Sequence, residues 1–146
     1  MFSKEEASKL RKEFWTSFGK SFPRKWLLYN TKIKGFAFKF VADRKKAMVC
    51  LDIAHPDEVA SELLYDQLLS LKNLLITEYI SDVIFDDSFI LESGKIIKRI
   101  YIPFDNKFSI HNKNTWRDCY EFFTEKMERF ELFFYEFEDY IKQAIS

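Results

Sequence analysis

The stretch "GFAFKFVADRKKAMVCLDI" (Gly35–Ile53) has the clearest structural pattern in the chain. Phe36, Phe38 and Phe40 alternate with other residues, which predicts a strand that has one aromatic face. The polar run "DRKK" predicts a tight turn. The run that follows it, Ala47–Ile53, is apolar at both odd and even positions, as expected of a central strand that is covered on both faces. The stretch therefore predicts two strands joined by a short turn.

Upstream of these strands, the sequence predicts a helix and one further strand. Ser3 and Glu6 have the spacing of a capping box, which predicts the start of a helix. An apolar stripe at helical spacing follows, consisting of Ala7, Leu10, Phe14 and Phe18. After this helix, the segment "KWLLYN" (Lys25–Asn30) predicts an additional strand.

Downstream, a second helix and two more strands are expected. Pro56 suits the first helical position, and the apolar stripe Val59, Leu63, Leu64, Leu68, Leu71 and Leu75 predicts the helix itself. The segment 82–104 predicts two strands joined around Ser93 and Gly94. The complete order is then α-β-β-β-α-β-β-α within residues 1–146. This order indicates a single α+β domain with a mostly antiparallel or mixed sheet of about five strands, flanked by helices.

The last helix is long and rich in aromatic residues. Its seam has heptad spacing and consists of Trp116, Tyr120, Phe123, Met127, Phe130, Phe134, Phe137 and Ile141. One interpretation is a helix that packs across the sheet. The aromatic residues outside the seam suggest contact with a second copy of the chain, so we predict a homodimer or docking interface at Phe122, Phe133, Tyr135 and Tyr140.

Positive and negative charges are divided unevenly along the chain. Residues 1–50 hold 13 Lys and Arg against 4 Asp and Glu, whereas residues 51–146 hold 10 against 19. Such asymmetry is found in nucleic-acid-binding proteins, although the halves could also neutralise each other within the fold or across a dimer. If nucleic acid is the partner, the expected contacts are Lys20, Arg24, Lys25, Lys32, Lys34, Arg44, Lys45 and Lys46.

One cation falls on the apolar side of the first helix. On a helical wheel, Arg11 lies between Phe14 and Trp15, while most other cations of this helix lie on the far side. A buried guanidinium needs a partner, because an unpaired buried charge is costly. Asp52 is an acid within the strand that is apolar on both faces, so we predict a structural ion pair between Arg11 and Asp52, with an anionic ligand as the alternative partner of Arg11.

Several kinds of chemistry lack support in the sequence. The three glycines are too scattered for a phosphate-binding loop, and His55 and His111 have no partner at metal-ligand spacing. Cys50 and Cys119 are too few for a disulfide framework. We therefore expect no catalytic residue, no cofactor and no metal. Because no apolar run has the length of a signal peptide or membrane span, we also expect a soluble cytoplasmic protein with reduced thiols and no membrane partner.

One metal-dependent alternative deserves comparison with the sequence. The predicted order of helix, three strands, helix and strand is also the core order of restriction-endonuclease-like nucleases, which hold Mg²⁺ with acidic residues and a nearby lysine. Here Asp43, Arg44 and Lys45 fall in the turn rather than on a strand, and Ala54 follows Asp52 where the lysine should stand. A degenerate relative of these nucleases is therefore the weaker alternative.

The segments "SKEEASKLRKEFWTSFGK", "PRKWLLYNTKIKGFAFKF" and "VCLDI" resemble the bacterial family catalogued as domain of unknown function 4268. The sharpest element is the pattern of Arg11, Phe14, Trp15 and Phe18 in the first helix. This family's domain occurs alone or attached to predicted nuclease domains. The resemblance implies a setting of restriction, repair or defence, with an associated nuclease subunit as a partner, and it transfers no catalytic residue.

Together these observations leave two main hypotheses. The first is a non-catalytic interaction module whose basic N-terminal third contacts nucleic acid. The second is a docking or dimerisation subunit that uses the last helix.

Overall fold

The computed structural model describes residues 2–146. Its helices and strands, in chain order, are α1 (Lys4–Ser21), β1 (Phe36–Ala42), β2 (Ala47–Ile53), α2 (Glu58–Ser70), α3 (Lys72–Glu78), β3 (Ile84–Ile90), β4 (Ile96–Pro103) and α4 (Trp116–Lys142). Short 3₁₀ turns precede and follow α4. None of the helices in residues 2–146 combines the length and the apolar character needed to cross a bilayer.

The four strands form one antiparallel sheet in the order β1-β2-β4-β3. The α+β class and the antiparallel pairing agree with the sequence, but the sheet has four strands rather than about five. Strand β2 lies inside the sheet, and all seven of its residues are buried. Its apolar character at both odd and even positions is therefore explained by burial on both faces.

The β1–β2 connection is the tight turn that the sequence predicts. The backbone N–H of Asp43 donates to the carbonyl of Lys46 at 2.9 Å. The Asp43 carboxylate accepts hydrogen bonds from the N–H groups of Lys45 and Lys46, both at 2.8 Å. An aspartate that bonds to the backbone ahead of it stabilises a turn, so this carboxylate holds the hairpin closed.

The predicted strand Lys25–Asn30 is wrong. This segment is an irregular connection that crosses from α1 to β1. The N–H of Leu27 donates to the carboxylate of Glu131 in α4 at 2.6 Å, and the carbonyl of Leu28 accepts from the N–H of Phe38 at 3.0 Å. Trp26, Leu27 and Leu28 pack against the core instead of pairing as a strand. Its backbone is fixed by contacts that are distant in sequence.

Helix α4 packs its aromatic seam along one face of the sheet. Four pairs of rings join β1 to α4, namely Phe36 with Phe134 (5.8 Å between ring centroids), Phe38 with Phe130 (5.5 Å), Phe38 with Phe134 (5.8 Å) and Phe40 with Phe123 (4.9 Å). Every seam residue except Phe137, which is partly buried, is fully buried. The interpretation of α4 as a helix packed across the sheet is confirmed.

Helix α1 covers the same side of the molecule. Its start is the predicted capping box, since the Ser3 hydroxyl accepts from the N–H of Glu6 at 3.1 Å and the Glu6 carboxylate accepts from Ser3. Phe14 and Phe18 are buried against α4. The Tyr120 hydroxyl donates to the Phe14 carbonyl at 2.7 Å, which links the two helices.

The predicted second helix is divided into α2 and α3. The break falls at Leu71, which ends α2 and precedes α3. Helix α2 begins at Glu58 with Asp57 as its N-cap, two residues after the expected start. Val59 is 62% exposed, so the apolar stripe does not begin there. The buried stripe consists of Leu64, Leu68 and Leu75.

The predicted interface on α4 is only partly available for contact. Phe133 is buried within the fold at 1% exposure and lies against Tyr79, so its assignment to an interface is wrong. Phe122 is half-buried and packs on Phe104 at 4.9 Å between ring centroids. The Tyr140 hydroxyl is hydrogen-bonded to Ser70. Tyr135 is 55% exposed and Tyr140 is 37% exposed, whereas Phe122 and Phe133 pack within the fold, so the four positions do not form one continuous apolar surface.

Candidate functional site

Four cations surround one cleft between α1 and the β1–β2 turn. The cleft has a volume of about 590 Å³ and is lined by Arg11, Ala42, Asp43, Arg44, Lys45, Lys46, Glu92 and Ile110. We call it the basic cleft. Arg11 comes from α1, whereas the other three cations follow one another in the turn. The fold thus joins cations that are more than thirty positions apart in sequence.

The turn presents its cations on a fixed backbone. Besides the three hydrogen bonds within the turn, the carbonyl of Asp43 accepts from the N–H of Ile110 at 3.1 Å. These hydrogen bonds anchor the backbone of the turn. The side chains of Arg44, Lys45 and Lys46 are exposed to solvent. A backbone that is already ordered suits an anion-binding surface, because the turn does not have to lose conformational entropy when the anion binds.

The cations of the basic cleft are not neutralised by the protein. Among residues 2–146, none of Arg11, Arg44, Lys45 and Lys46 lies within salt-bridge distance of a carboxylate. The cleft contains two acids, and one of them, Asp43, already accepts two backbone N–H groups. The basic cleft therefore has more positive than negative side chains, and a polyanion could neutralise this excess of positive charge.

The predicted ion pair between Arg11 and Asp52 is wrong. Arg11 is exposed at the basic cleft. Along β2, Asp52 alternates with Leu51 and Ile53, which join the core beneath the helices. Its side chain therefore lies on the opposite face of the sheet, out of reach of α1. The wheel position of Arg11 is at the margin of the apolar arc, where a long side chain can reach water.

The partner of Asp52 is Arg99, its cross-strand neighbour on β4. Two hydrogen bonds join them, from Nε of Arg99 at 2.6 Å and from Nη2 at 2.9 Å, one to each carboxylate oxygen. Both residues are buried. Burial by itself lowers the pKa of Arg99, but the hydrogen bonds to Asp52 and the charge interactions with neighbouring side chains together outweigh this effect, and the pKa is raised above its ordinary value.

Neighbouring side chains complete the surroundings of this buried pair. Lys39 of β1 reaches Asp52 at 3.4 Å while remaining about half exposed. The Arg99 guanidinium stacks over the ring of Phe89 at 4.3 Å and contacts the sulfur of Met48 at 3.7 Å. Since Arg99 and Lys39 bind Asp52, this acid belongs to the internal structure of the sheet.

The degenerate-nuclease alternative loses part of its sequence support. The order on which it was based required three strands before the second helix, and only β1 and β2 are present there. Asp43 bonds to its own turn, and Asp52 is bound by Arg99. Among residues 2–146 there is no cluster of three or more His, Cys, Asp or Glu positioned to hold a metal. Nuclease activity remains a prediction that no contact described above favours.

Both cysteines are buried and free. Burial raises the pKa of the Cys119 thiol to about 12, and it raises the pKa of Cys50 further still. Neither thiol is thereby activated as a thiolate at neutral pH.

Among the eight predicted nucleic-acid contacts, Arg24 is occupied within the fold. Its guanidinium donates to Glu131 at 2.8 Å and to Glu128 at 3.3 Å, and it lies 4.2 Å from the centroid of the Trp26 ring. Glu131 is buried and also binds the N–H of Leu27. Arg24 therefore fastens the α1–β1 connection to α4.

The remaining predicted contacts are exposed but do not form one patch. Arg44, Lys45 and Lys46 lie in the basic cleft with Arg11, which the sequence did not place there. Lys32 and Lys34 precede β1 and therefore lie at the other end of this strand. Lys20 lines a hollow on the solvent side of α1 with Lys9 and Lys12, and Lys25 is exposed in the α1–β1 connection.

The molecule also has an acidic cleft, which lies beside α4. Its volume is about 360 Å³, and its lining includes Asp82, Asp105, Asp118, Glu121, Glu125 and Lys126. Lys126 forms an ion pair with Asp82 at 3.3 Å. Part of the negative charge of the second half of the sequence therefore lies in this acidic cleft, away from the basic cleft.

The fold and this site define an α+β protein with helices packed on a four-stranded antiparallel sheet and a basic cleft at one end of β1. A family model described as Domain of unknown function (DUF4268) matches residues 10–138, and the chain belongs to this family. The resemblance that the sequence indicated is therefore confirmed. Comparisons with curated proteins and with solved structures gave no significant match.

Proposed function

We propose that this protein is a non-catalytic module that binds nucleic acid through the phosphate backbone at the basic cleft. The observation that carries the proposal is the convergence of Arg11, Arg44, Lys45 and Lys46 on one cleft without carboxylate partners within residues 2–146. Cations in this state gain most from a ligand that carries closely spaced negative charges. Nucleic acid is such a ligand, because each nucleotide contributes one phosphate.

The composition of the cleft favours phosphate contacts over base recognition. Three of its four cations lie in a two-strand turn, and α1 contributes a single residue, Arg11, to the lining. A groove-reading helix would instead present several of its side chains to the ligand. Contacts to phosphates position a protein on nucleic acid but carry no direct sequence information. We therefore expect binding that is independent of sequence and falls steeply with salt.

The same proposal places the protein as an accessory to restriction, repair or defence systems. The family resemblance implies this setting, because domains of this family occur alone or attached to predicted nuclease domains. A module that binds phosphates without cleaving them would increase the local concentration of nucleic acid near an associated nuclease. In that role the module needs no catalytic residues of its own.

The proposal is tested by removing the four cations together. A cleft variant carrying Arg11→Ala, Arg44→Ala, Lys45→Ala and Lys46→Ala would be compared with the wild type by fluorescence anisotropy on labelled duplex DNA at low salt. The matched control variant loses four exposed lysines outside the basic cleft, through Lys4→Ala, Lys9→Ala, Lys12→Ala and Lys95→Ala. Both variants have the same net charge.

We expect the cleft variant to lose at least tenfold in affinity while the control variant stays within about threefold of the wild type, because local cations contribute more than net charge. Equal losses in the two variants would show that binding follows total charge and not the basic cleft. If the wild type itself bound no DNA or RNA at tens of micromolar protein, the proposed function would be wrong.

A further inference from the structure

Tyr29 is a large side chain that the fold holds in solvent. It lies in the connection between α1 and β1, and it is 77% exposed, the highest exposure of any large apolar or aromatic residue among residues 2–146. An isolated exposed ring on a mobile loop would need no explanation. The connection around Tyr29, however, is strongly ordered by hydrogen bonds.

Backbone and side-chain bonds hold the connection on both sides of Tyr29. The N–H of Asn30 donates to the carbonyl of Leu27 at 2.9 Å. The buried hydroxyl of Thr31 donates to the carbonyl of Phe36 at 2.7 Å and accepts from the N–H of Ile33 at 3.2 Å. These bonds fix the backbone on each side of the ring, so the exposure of Tyr29 belongs to a defined conformation.

The same connection contains backbone strain. Leu28 and Lys32 have φ angles of 47° and 62°, in the left-handed region that non-glycine residues rarely adopt. Gly35 also has a positive φ, and a Cβ there would lie 2.5 Å from the Cα of His55. Such conformations persist only where the surroundings enforce them, and they concentrate at ligand-binding sites.

The ring stands over a small cationic pocket. The pocket has a volume of about 340 Å³, and its lining includes Tyr29, Lys34, Lys39 and Asp52. The lining has two lysines and one acid, and this acid is already held by the buried Arg99 as well as by Lys39, so the pocket has an excess of positive charge. We call these four residues the Tyr29 pocket. An exposed ring beside two lysines is the combination that binds a base together with its phosphate.

We propose that the Tyr29 pocket binds single-stranded nucleic acid, with one base stacked on Tyr29 and the adjoining phosphates on Lys34 and Lys39. This inference rests on the proposed function, since the strand would continue around the β1 edge of the sheet to the basic cleft. It also names the class of nucleic acid. Bases in a duplex are stacked inside the helix and cannot lie flat on a protein ring.

The length of β1 predicts how much strand is needed. Its seven residues span about 23 Å at about 3.3 Å per residue. The Tyr29 pocket lies at the start of β1 and the basic cleft at its end, on the α1 side of the sheet. Lys39 and Asp52 lie on the opposite face, so a strand that fills both sites must pass around β1, which is the edge of the sheet. Affinity for oligothymidylate should therefore rise with length and level off within the range of about 4 to about 16 nucleotides that is typical of single-strand-binding sites.

The experiment measures the affinity of Tyr29→Ala for oligothymidylate and for duplex DNA of equal length, and compares each with the affinity of the wild type. Loss of one stacked base should weaken single-strand binding by about 5-fold to about 150-fold, and duplex binding should stay within about twofold. Tyr135→Ala, which removes an exposed tyrosine from α4, is the matched control and should change neither affinity. Tyr29→Trp should keep the affinity and add a tryptophan fluorescence signal that the bound strand quenches.

Each alternative result has a defined meaning. Unchanged single-strand affinity in Tyr29→Ala, with the cleft variant still defective, would overturn the Tyr29 pocket and leave the proposed function standing. Equal losses on single strands and duplex in Tyr29→Ala would also overturn it, because they would indicate a distorted connection and not a lost stack. A cleft variant that binds like the wild type would instead overturn the proposed function.

Discussion

The buried pair of Asp52 with Arg99 and the basic cleft contain the same kinds of cation in opposite situations. Arg99 is buried, and its guanidinium bonds to both oxygens of one carboxylate. Arg11, Arg44, Lys45 and Lys46 surround a cleft and have no carboxylate partner within residues 2–146. The difference shows that the position of a cation in the fold, not its abundance in the sequence, determines whether it can meet a ligand.

Arg24 lies between these two extremes. It is partly exposed, yet its guanidinium is shared between Glu131 and Glu128. An excess of positive charge in the first fifty residues therefore overstates the charge available to a polyanion. The comparison predicts that Arg99 and Arg24 contribute mainly to stability and that cations of the basic cleft contribute mainly to binding.

The largest effect is expected at the buried pair. Arg99→Ala leaves the Asp52 carboxylate buried with only the half-exposed Lys39 nearby, and should lower the free energy of unfolding by about 3–5 kcal/mol. Urea unfolding at neutral pH would measure it. Arg99→Lys should also destabilise, since an ammonium cannot make the two-pronged contact.

A double variant sharpens this prediction. Replacing both partners, through Asp52→Leu and Arg99→Met, removes the charges together and should recover most of the stability lost in Arg99→Ala, because no unpaired charge remains. If Arg99→Ala cost less than about 1 kcal/mol, the pair would behave as a surface ion pair, and the contrast with the basic cleft would fail.

A smaller loss of folding stability is expected when the contacts of Glu131 with the α1–β1 connection are removed. Glu131→Ala removes the acceptor of the Leu27 N–H and one partner of Arg24, and should cost about 1–3 kcal/mol because a part-buried donor is left unsatisfied. Glu128→Ala removes only the exposed partner and should cost no more than about 1 kcal/mol. Chemical denaturation of the two variants checks the ranking, and a reversed order would show that Glu131 does not hold the connection.

The smallest stability effect is expected at Arg11. Because its side chain is exposed and has no carboxylate partner in residues 2–146, Arg11→Ala should change the free energy of unfolding by less than about 0.5 kcal/mol while weakening DNA binding. Thermal melts and anisotropy titrations on the same preparation would separate these effects. If Arg11→Ala lowered the melting temperature and left DNA binding unchanged, Arg11 would have a structural role instead.

Features that depend on local periodicity could be predicted from the sequence. The alternation of Phe36, Phe38 and Phe40 predicted β1. The apolar run after the turn predicted the buried strand β2, and the heptad spacing predicted α4. In each case the side chains that repeat along the element are those that contact the core. The α+β class followed from the order of these elements.

Features that depend on distant contacts could not be predicted in this way. The segment Lys25–Asn30 has the composition of a strand, but its backbone bonds to Glu131, more than a hundred positions away. Asp52 meets Arg99 because the register of β2 and β4 places them opposite each other, and no local pattern fixes that register. The basic cleft likewise requires the packing of α1 beside a turn. Tyr29 gave no signal, because its exposure depends on the conformation of its connection.

The salt dependence of binding tests the central claim most directly. The slope of log affinity against log salt concentration on duplex DNA would be measured for the wild type, the cleft variant and the control variant. Each phosphate contact contributes about 0.9 to the slope, so the cleft variant should show a slope shallower by up to about 3.6, while the control variant keeps the wild-type slope. Identical slopes in the cleft variant and the wild type would contradict the claim that the unpaired cations of the basic cleft bind phosphates.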